Sequence, residues 1–204
     1  GIPAGIQGMA FSVSNVVIQS SINSFDSSLI VAGNAAAANI ENFVYVGMMA
    51  FASAAMTFTS QNIGAKNYGS VKRIMWVTMI LDCFSALSVG FLAWYFGRFF
   101  LSFYTSDPSV IEYGIERLFW VAMFLALNGV LDVFINSLRG MGNSTVPTLI
   151  MIVGIVGIRL AWLWLYFPTH RQLGVIYMCF PISWVITSLL LGGLWLKEYK
   201  KLMA

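Results

Sequence analysis

Long apolar stretches, each closed by turn residues or charge, make up nearly all of this chain. A helix rises 1.5 Å per residue, so crossing the hydrocarbon core of a bilayer takes roughly 20 apolar residues. Six stretches satisfy that length, at about 3–22, 29–63, 74–96, 117–138, 147–167 and 174–196. The first ends at Asn23-Ser24-Phe25-Asp26, and the second, longer than one span needs, overhangs or kinks near Gly47 before stopping at Gly64-Ala65-Lys66-Asn67. Between the third and fourth, Asp107 or Ser106 can cap a helix with Pro108 in its first turn. The fourth breaks at Gly140-Met141-Gly142, the fifth opens at Pro147 and stops at Pro168, and the sixth carries a kink-prone Pro181 before the basic tail Lys197 to Lys201. These runs are continuous rather than alternating, which excludes barrel strands. The pattern predicts an all-α integral membrane protein of six transmembrane helices.

Composition agrees. Of the 204 residues 59% are hydrophobic and only 9% charged, against roughly 25% charged in soluble domains. Lipid must therefore be the solvent for most of the surface, and the 15% aromatic content suits interfacial belts. The net charge of +3 is spread over inter-helix loops, which argues against nucleic acid. Cys83 and Cys179 lie inside apolar stretches and read as small hydrophobes rather than a disulfide. The opening Gly1-Ile2-Pro3 looks like the interior of a longer protein.

With six spans, one side receives Lys66, Lys72, Arg73, Arg139, Lys197, Lys200 and Lys201, and the other Arg98, Arg117 and Arg171. The positive-inside rule then places both chain ends in the cytoplasm of a cell membrane.

Ionisable groups inside a membrane are costly and mark function or pairing. Four cannot be moved to loops: Glu41, Asp82, Asp132 and Arg159. Asp132 lies about 10 Å inward from Arg139 and Arg159 about 18 Å inward from Pro147. A short loop joins their helices, so Asp132 and Arg159 can pair across an antiparallel contact. Two readings stay open: a structural ion pair, or a proton or cation site at Asp132 tuned by Arg159. Asp82 has no evident partner and reads as structural, hydrogen-bonding a neighbouring helix.

Polar stripes add detail. Gly1, Gly5, Gly8, Ser12, Asn15 and Gln19 share one helical face, small residues first and amides deeper. Small residues admit a second backbone, and the amides serve either interhelical hydrogen bonds or a cavity wall. Glu41, Tyr45, Met48, Ala52, Ala55 and Thr59 form a second stripe, with Gly47, Ala50, Ala54, Thr57 and Gln61 beside it. Such a Tyr and Met wall suits apolar cations, though Met stripes are more often plain packing. Asn128, Asp132 and Asn136 follow one face of the fourth helix. His170 sits in a loop, and no metal cluster, phosphate loop or nucleophile–base pair is legible, so an enzyme is not expected.

The ordered landmarks resemble those of a known family. They are Gly1-Ile2-Pro3-Ala4-Gly5-Ile6-Gln7, Ser14-Asn15 with Gln19 and Asn23, Gln61-Asn62-Ile63-Gly64-Ala65, Leu138-Arg139-Gly140-Met141-Gly142-Asn143-Ser144, Arg159, and Pro181-Ile182-Ser183-Trp184. Together they are similar to the second half of a multidrug and toxic compound extrusion (MATE) transporter. The resemblance implies one six-helix lobe of a twelve-helix fold, the N-terminal lobe lying outside residues 1–204. It implies alternating-access antiport of cationic or amphipathic small molecules against H+ or Na+, with no other cofactor. The expected partners are the bilayer, organic cations and the missing lobe. Some sodium-coupled relatives carry an acid in the first helix of this lobe, and positions 8–15 contain none.

The candidate site residues are Glu41 and Asp132 for charge, Asn15, Gln19, Tyr45 and Asn128 for the cavity wall, and Arg159 beside them. Two rivals stand: a flippase for lipid-linked oligosaccharides, which would need a more cationic cavity, and a structural membrane module. A lone lobe exposes its cavity face, so residues 1–204 are expected not to transport by themselves.

Overall fold

The computed structural model describes residues 2–203, apart from the side chains at positions 2, 3, 4 and 7. Gly1, the first member of the small-residue stripe, and the extreme chain ends lie outside the described residues. Helices run α1 (Ile2–Asn23), α2 (Ser28–Gly64), α3 (Tyr68–Tyr95), α4 (Gly97–Ser102), α5 (Pro108–Val121), α6 (Leu125–Gly140) and α7 (Thr145–Met151). A π-helical turn, Ile152–Gly157, leads into α8 (Ile158–Leu165), and α9 (Leu173–Met203) closes the chain. Among the described residues there is no strand.

Four of these elements are long and apolar enough to cross a membrane: α2, α3, the continuous run from α7 to α8, and α9. The bent pair α5 and α6 supplies a fifth. The predicted first span is helical but is not among them, because the amides of Asn15 and Gln19 interrupt its apolar run. The outer surface is accordingly apolar, with Phe43, Leu165 and Leu189 more than 70% exposed. Such a surface suits lipid or another apolar protein face, not water.

Local chemistry sets the boundaries. Ser27 caps α2 by accepting the Ile30 amide. Asp26 and Lys66 adopt positive φ at the ends of the neighbouring turns, which closes each hairpin of helices. Asp107 caps α5 by accepting the Ser109 amide at 2.8 Å, with Pro108 at the first helical position where its missing N–H is harmless. The fourth predicted helix thus begins at Pro108 rather than near Arg117, and it breaks.

At that break α5 and α6 meet at 43°. The Met123 amide reaches the Leu118 carbonyl at 3.3 Å, five residues back, so the regular ladder slips. Helix α3 passes here at Gly90, where any side chain would collide with the Ala122 carbonyl. At the other end, α9 absorbs the basic tail, and Lys200 and Lys201 in its last turn oppose the partial negative charge of the helix end.

Helix α2 is the central post, packed against α3, α5 and α6, while α6 also packs on α9. The stripe Met48, Ala52, Ala55 and Thr59 is buried in this contact, so it is packing surface. Its companion stripe is different: Gly47 has open space where a side chain would go. Close approach depends on Gly140, where an added Cβ would lie 2.7 Å from the Met56 carbonyl oxygen and 2.9 Å from the Thr59 Cβ. Gly140→Ala should therefore destabilise the lobe by about 1–3 kcal/mol, as overpacking does, read as a lower melting temperature in detergent. An unchanged melting temperature would show that the two helices have room to part at this contact.

Helix α1 leans on the continuous run from α7 to α8 and on α9, with only slight contact to α2. Gly5 and Gly8 have nothing within 4 Å of an added Cβ, so among the described residues no backbone packs on the small-residue face there. That expected close packing is not made by the described helices. The face stands open.

Candidate functional site

Glu41 sits buried on α2, one turn from Tyr45 and two turns from Asn34. Arg117 of α5 meets it in a fork: Nε donates to Oε1 at 2.9 Å and Nη2 to Oε2 at 2.7 Å. Both side chains are about nine-tenths removed from solvent. The remaining Arg117 donor, Nη1, reaches Asn34 Oδ1 at 2.6 Å, and the Tyr177 hydroxyl of α9 donates to the same oxygen at 3.2 Å. Asn34 in turn donates to Gln19 Oε1 at 3.2 Å, which ties α1 to α2. The guanidinium also lies over the Tyr177 and Phe180 rings, each 5.7 Å away. Four helices are thus locked by one buried polar network.

Arg117 overturns a sequence expectation, which places it in an outer loop. Its real position follows from the cap: nine residues past Pro108, it stands about 13 Å into the helix.

The second cluster is acidic. Asn128 donates to Asp132 Oδ2 at 2.9 Å, one turn back on α6, and the Tyr45 hydroxyl of α2 meets the same carboxyl. Asn136 instead donates to the Asp132 backbone carbonyl at 2.8 Å, so it belongs to the helix and not to the site. Arg139, two turns along α6, acts on Asp132 through its charge.

Arg159 forms the third group. Its Nε donates to the Ser183 hydroxyl at 3.1 Å, and its guanidinium stacks 4.4 Å from the Phe180 ring. No ion pair joins Asp132 to Arg159 among the described residues. The expected pairing assumes an unbroken α-helix from Pro147 to Arg159. The π turn at Ile152–Gly157 shifts the register of α8, and Arg159 turns toward α9. Gly154 within that turn makes room for Thr187 of α9.

These groups converge. A cavity of about 380 Å³ is lined by Asn15, Glu41, Tyr45, Asn128, Asp132 and Arg159, with Asn42 and the rings of Phe11, Phe180 and Trp184. A smaller one of about 290 Å³ abuts it, lined by Asn15, Gln19, Asn34, Glu41, Asn42 and Arg117. Six of the seven residues singled out in the sequence face the first cavity, and Gln19 faces the second. Arg117, Asn34, Asn42 and Tyr177 join the site without having been singled out. For Asn34 the signal was available, seven residues before Glu41 on the same face; for Tyr177 there was none.

Among the described residues no group of three or more His, Cys, Asp or Glu side chains can hold a metal ion. The site is a polar cleft with aromatic walls.

The MatE family signature matches residues 3–165. The chain belongs to the MatE family. Its curated relatives include the Probable multidrug resistance protein YpnP of Bacillus subtilis, 27% identical over 142 residues and covering 70% of this chain but 32% of YpnP. The Probable multidrug resistance protein YoeA of the same organism is 23% identical over 204 residues, covering 98% of this chain and 43% of YoeA. Among solved structures, the Vibrio cholerae MATE transporter VcmN in its bent form superposes with a TM-score of 0.85 at 17% identity, covering 98% of this chain and 45% of VcmN. A MOP superfamily transporter from Pyrococcus furiosus, described by the reversed polarity of its binding pocket, gives 0.75 at 19% identity, covering 94% of this chain and 42% of that one. The MatE chain therefore spans less than half the length of these relatives and matches about one half of the VcmN fold.

Proposed function

We propose that this lobe belongs to an ion-coupled antiporter that exports cationic or amphipathic small molecules, H+ or Na+ moving the other way. The observation that carries the reading is the 380 Å³ cavity, where Asp132 is hydrogen-bonded by an amide and a phenol beside aromatic rings. A carboxylate so placed can accept a proton, a sodium ion or an organic cation in turn, and that exchange is what antiport requires. Glu41 is already neutralised by Arg117, so its role here is to hold the wall, and Asn15, Asn42, Tyr45 and Asn128 supply adaptable polar contacts. The relatives named for multidrug resistance support the same substrate class.

The complete protein would add the N-terminal lobe against the open face of α1, with both ends of this lobe in the cytoplasm of the cell membrane. Removing Arg117 from the loop count strengthens that orientation, since the outer loops keep only Arg98 and Arg171. The flippase reading gains little: besides the neutralised Glu41, the cavity balances Arg159 against Asp132 and is not strongly cationic.

The test is uptake of an organic-cation dye by vesicles carrying the complete parent protein under an imposed proton or sodium gradient. Gradient-driven transport is expected. Its absence under both gradients, with rescue of a flippase-deficient strain, would replace this reading by the lipid one.

A further inference from the structure

Asp82, midway along α3, is fully buried, yet neither carboxyl oxygen has a hydrogen-bond partner among the described residues. The interhelical hydrogen bond expected of it is not made. Its place exists because residue 129 of α6 is glycine: a methyl group there would collide with Oδ2 of Asp82. Three residues on, the same face of α6 carries Asp132, whose charge acts on Asp82. Tyr45 of α2 and Cys83 of α3 are the other described groups coupled electrostatically to it. Helices α4, α5 and α9 also touch α3, and no titratable side chain of theirs acts on Asp82 among the described residues.

A carboxyl without a partner among the described residues does not hold their helices together. Ionised, it would face a large desolvation cost with neither hydrogen bond nor counter-ion among the described residues to offset it. A metal ion would need several converging oxygen donors, and none meets this carboxyl among the described residues. A proton removes the charge and asks for no further ligand.

We propose that Asp82 is a proton-storage site of this lobe, exchanging with the cavity through Asp132, with Gly129 as the residue that admits its carboxyl. This rests on the antiporter reading. In the exchange an O–H bond on the Asp132 carboxyl breaks and one on Asp82 forms, which leaves Asp132 ionised for a cationic substrate; the reverse step reloads it. Only a proton changes place.

The test uses the complete parent protein in proteoliposomes. Asp82→Asn preserves shape and removes the acid, so it should transport with fewer protons moved per substrate and a flatter pH profile. Infrared spectra with labelled aspartate should show a buried carboxylic-acid carbonyl band, lost in Asp82→Asn and kept in Asp132→Asn. Unchanged stoichiometry together with an unchanged band would overturn the proposal. Should Asp82→Asn fail to assemble, the wild-type band decides: one that responds to substrate supports storage, and an unresponsive or absent band overturns it. If the wild type shows no proton-driven transport, the proton-coupled reading falls by itself. The band, present and lost in Asp82→Asn or never present, then settles Asp82 separately.

Discussion

Replacing Glu41 by Leu should prevent stable assembly of the lobe, because it leaves the Arg117 guanidinium buried without its anion. Breaking a buried ion pair from one side costs about 3–5 kcal/mol, a large fraction of the stability of a domain. The loss here reaches further than the pair, since Arg117 also holds Asn34, which in turn receives Tyr177 and donates to Gln19. Thermal unfolding in detergent, or the fraction of monodisperse protein after extraction, reads the effect directly. The double variant Glu41→Leu with Arg117→Met should recover much of the loss, since removing both charges leaves no orphan. If the single variant is as stable as the wild type, the pair is hydrated in the membrane and this network does not govern folding.

The sequence carried the fold because the bilayer imposes a length rule on apolar stretches, and that rule survives ignorance of packing. It carried the ends of helices where capping chemistry is explicit, as at Asp107 and Pro108. It did not carry the break at residues 122–124 or the π turn at Ile152–Gly157. Both lie within unbroken apolar sequence and are fixed by neighbours: Gly90 of α3 against Ala122, and Thr187 of α9 against Gly154. Such contacts join residues far apart in the chain, so no local pattern announces them.

The lining of the candidate site was legible to the same degree. An intramembrane charge or amide is conspicuous against an apolar background, as at Asn15, Glu41, Asn128, Asp132 and Arg159, and Tyr45 shares the stripe of Glu41; all six line one cavity. Their pairing was not legible. Glu41 takes Arg117, which looked like a loop residue, and Asp132 takes an amide and a phenol where Arg159 was expected. Partner choice depends on helix rotation, and one π turn is enough to redirect a side chain.

That redirection makes Asp132 the residue on which transport should turn. Asp132→Asn keeps the size of the side chain and can keep its contacts with Asn128 and Tyr45, so the lobe should fold with little change in melting temperature. What disappears is the charge that, in the antiporter reading proposed above, alternates between coupling ion and substrate. Gradient-driven efflux of an organic-cation dye by the complete protein should fall at least tenfold, equivalent to about 1.4 kcal/mol of lost discrimination. Arg159→Gln should behave differently, because Arg159 is bonded to Ser183 and stacked on Phe180. It should lower stability and shift substrate preference while efflux remains driven by the gradient. If instead Asp132→Asn transports normally and Arg159→Gln abolishes coupling, the acid is a wall of the cavity and the ion is sensed elsewhere, which would also remove the exchange route proposed for Asp82.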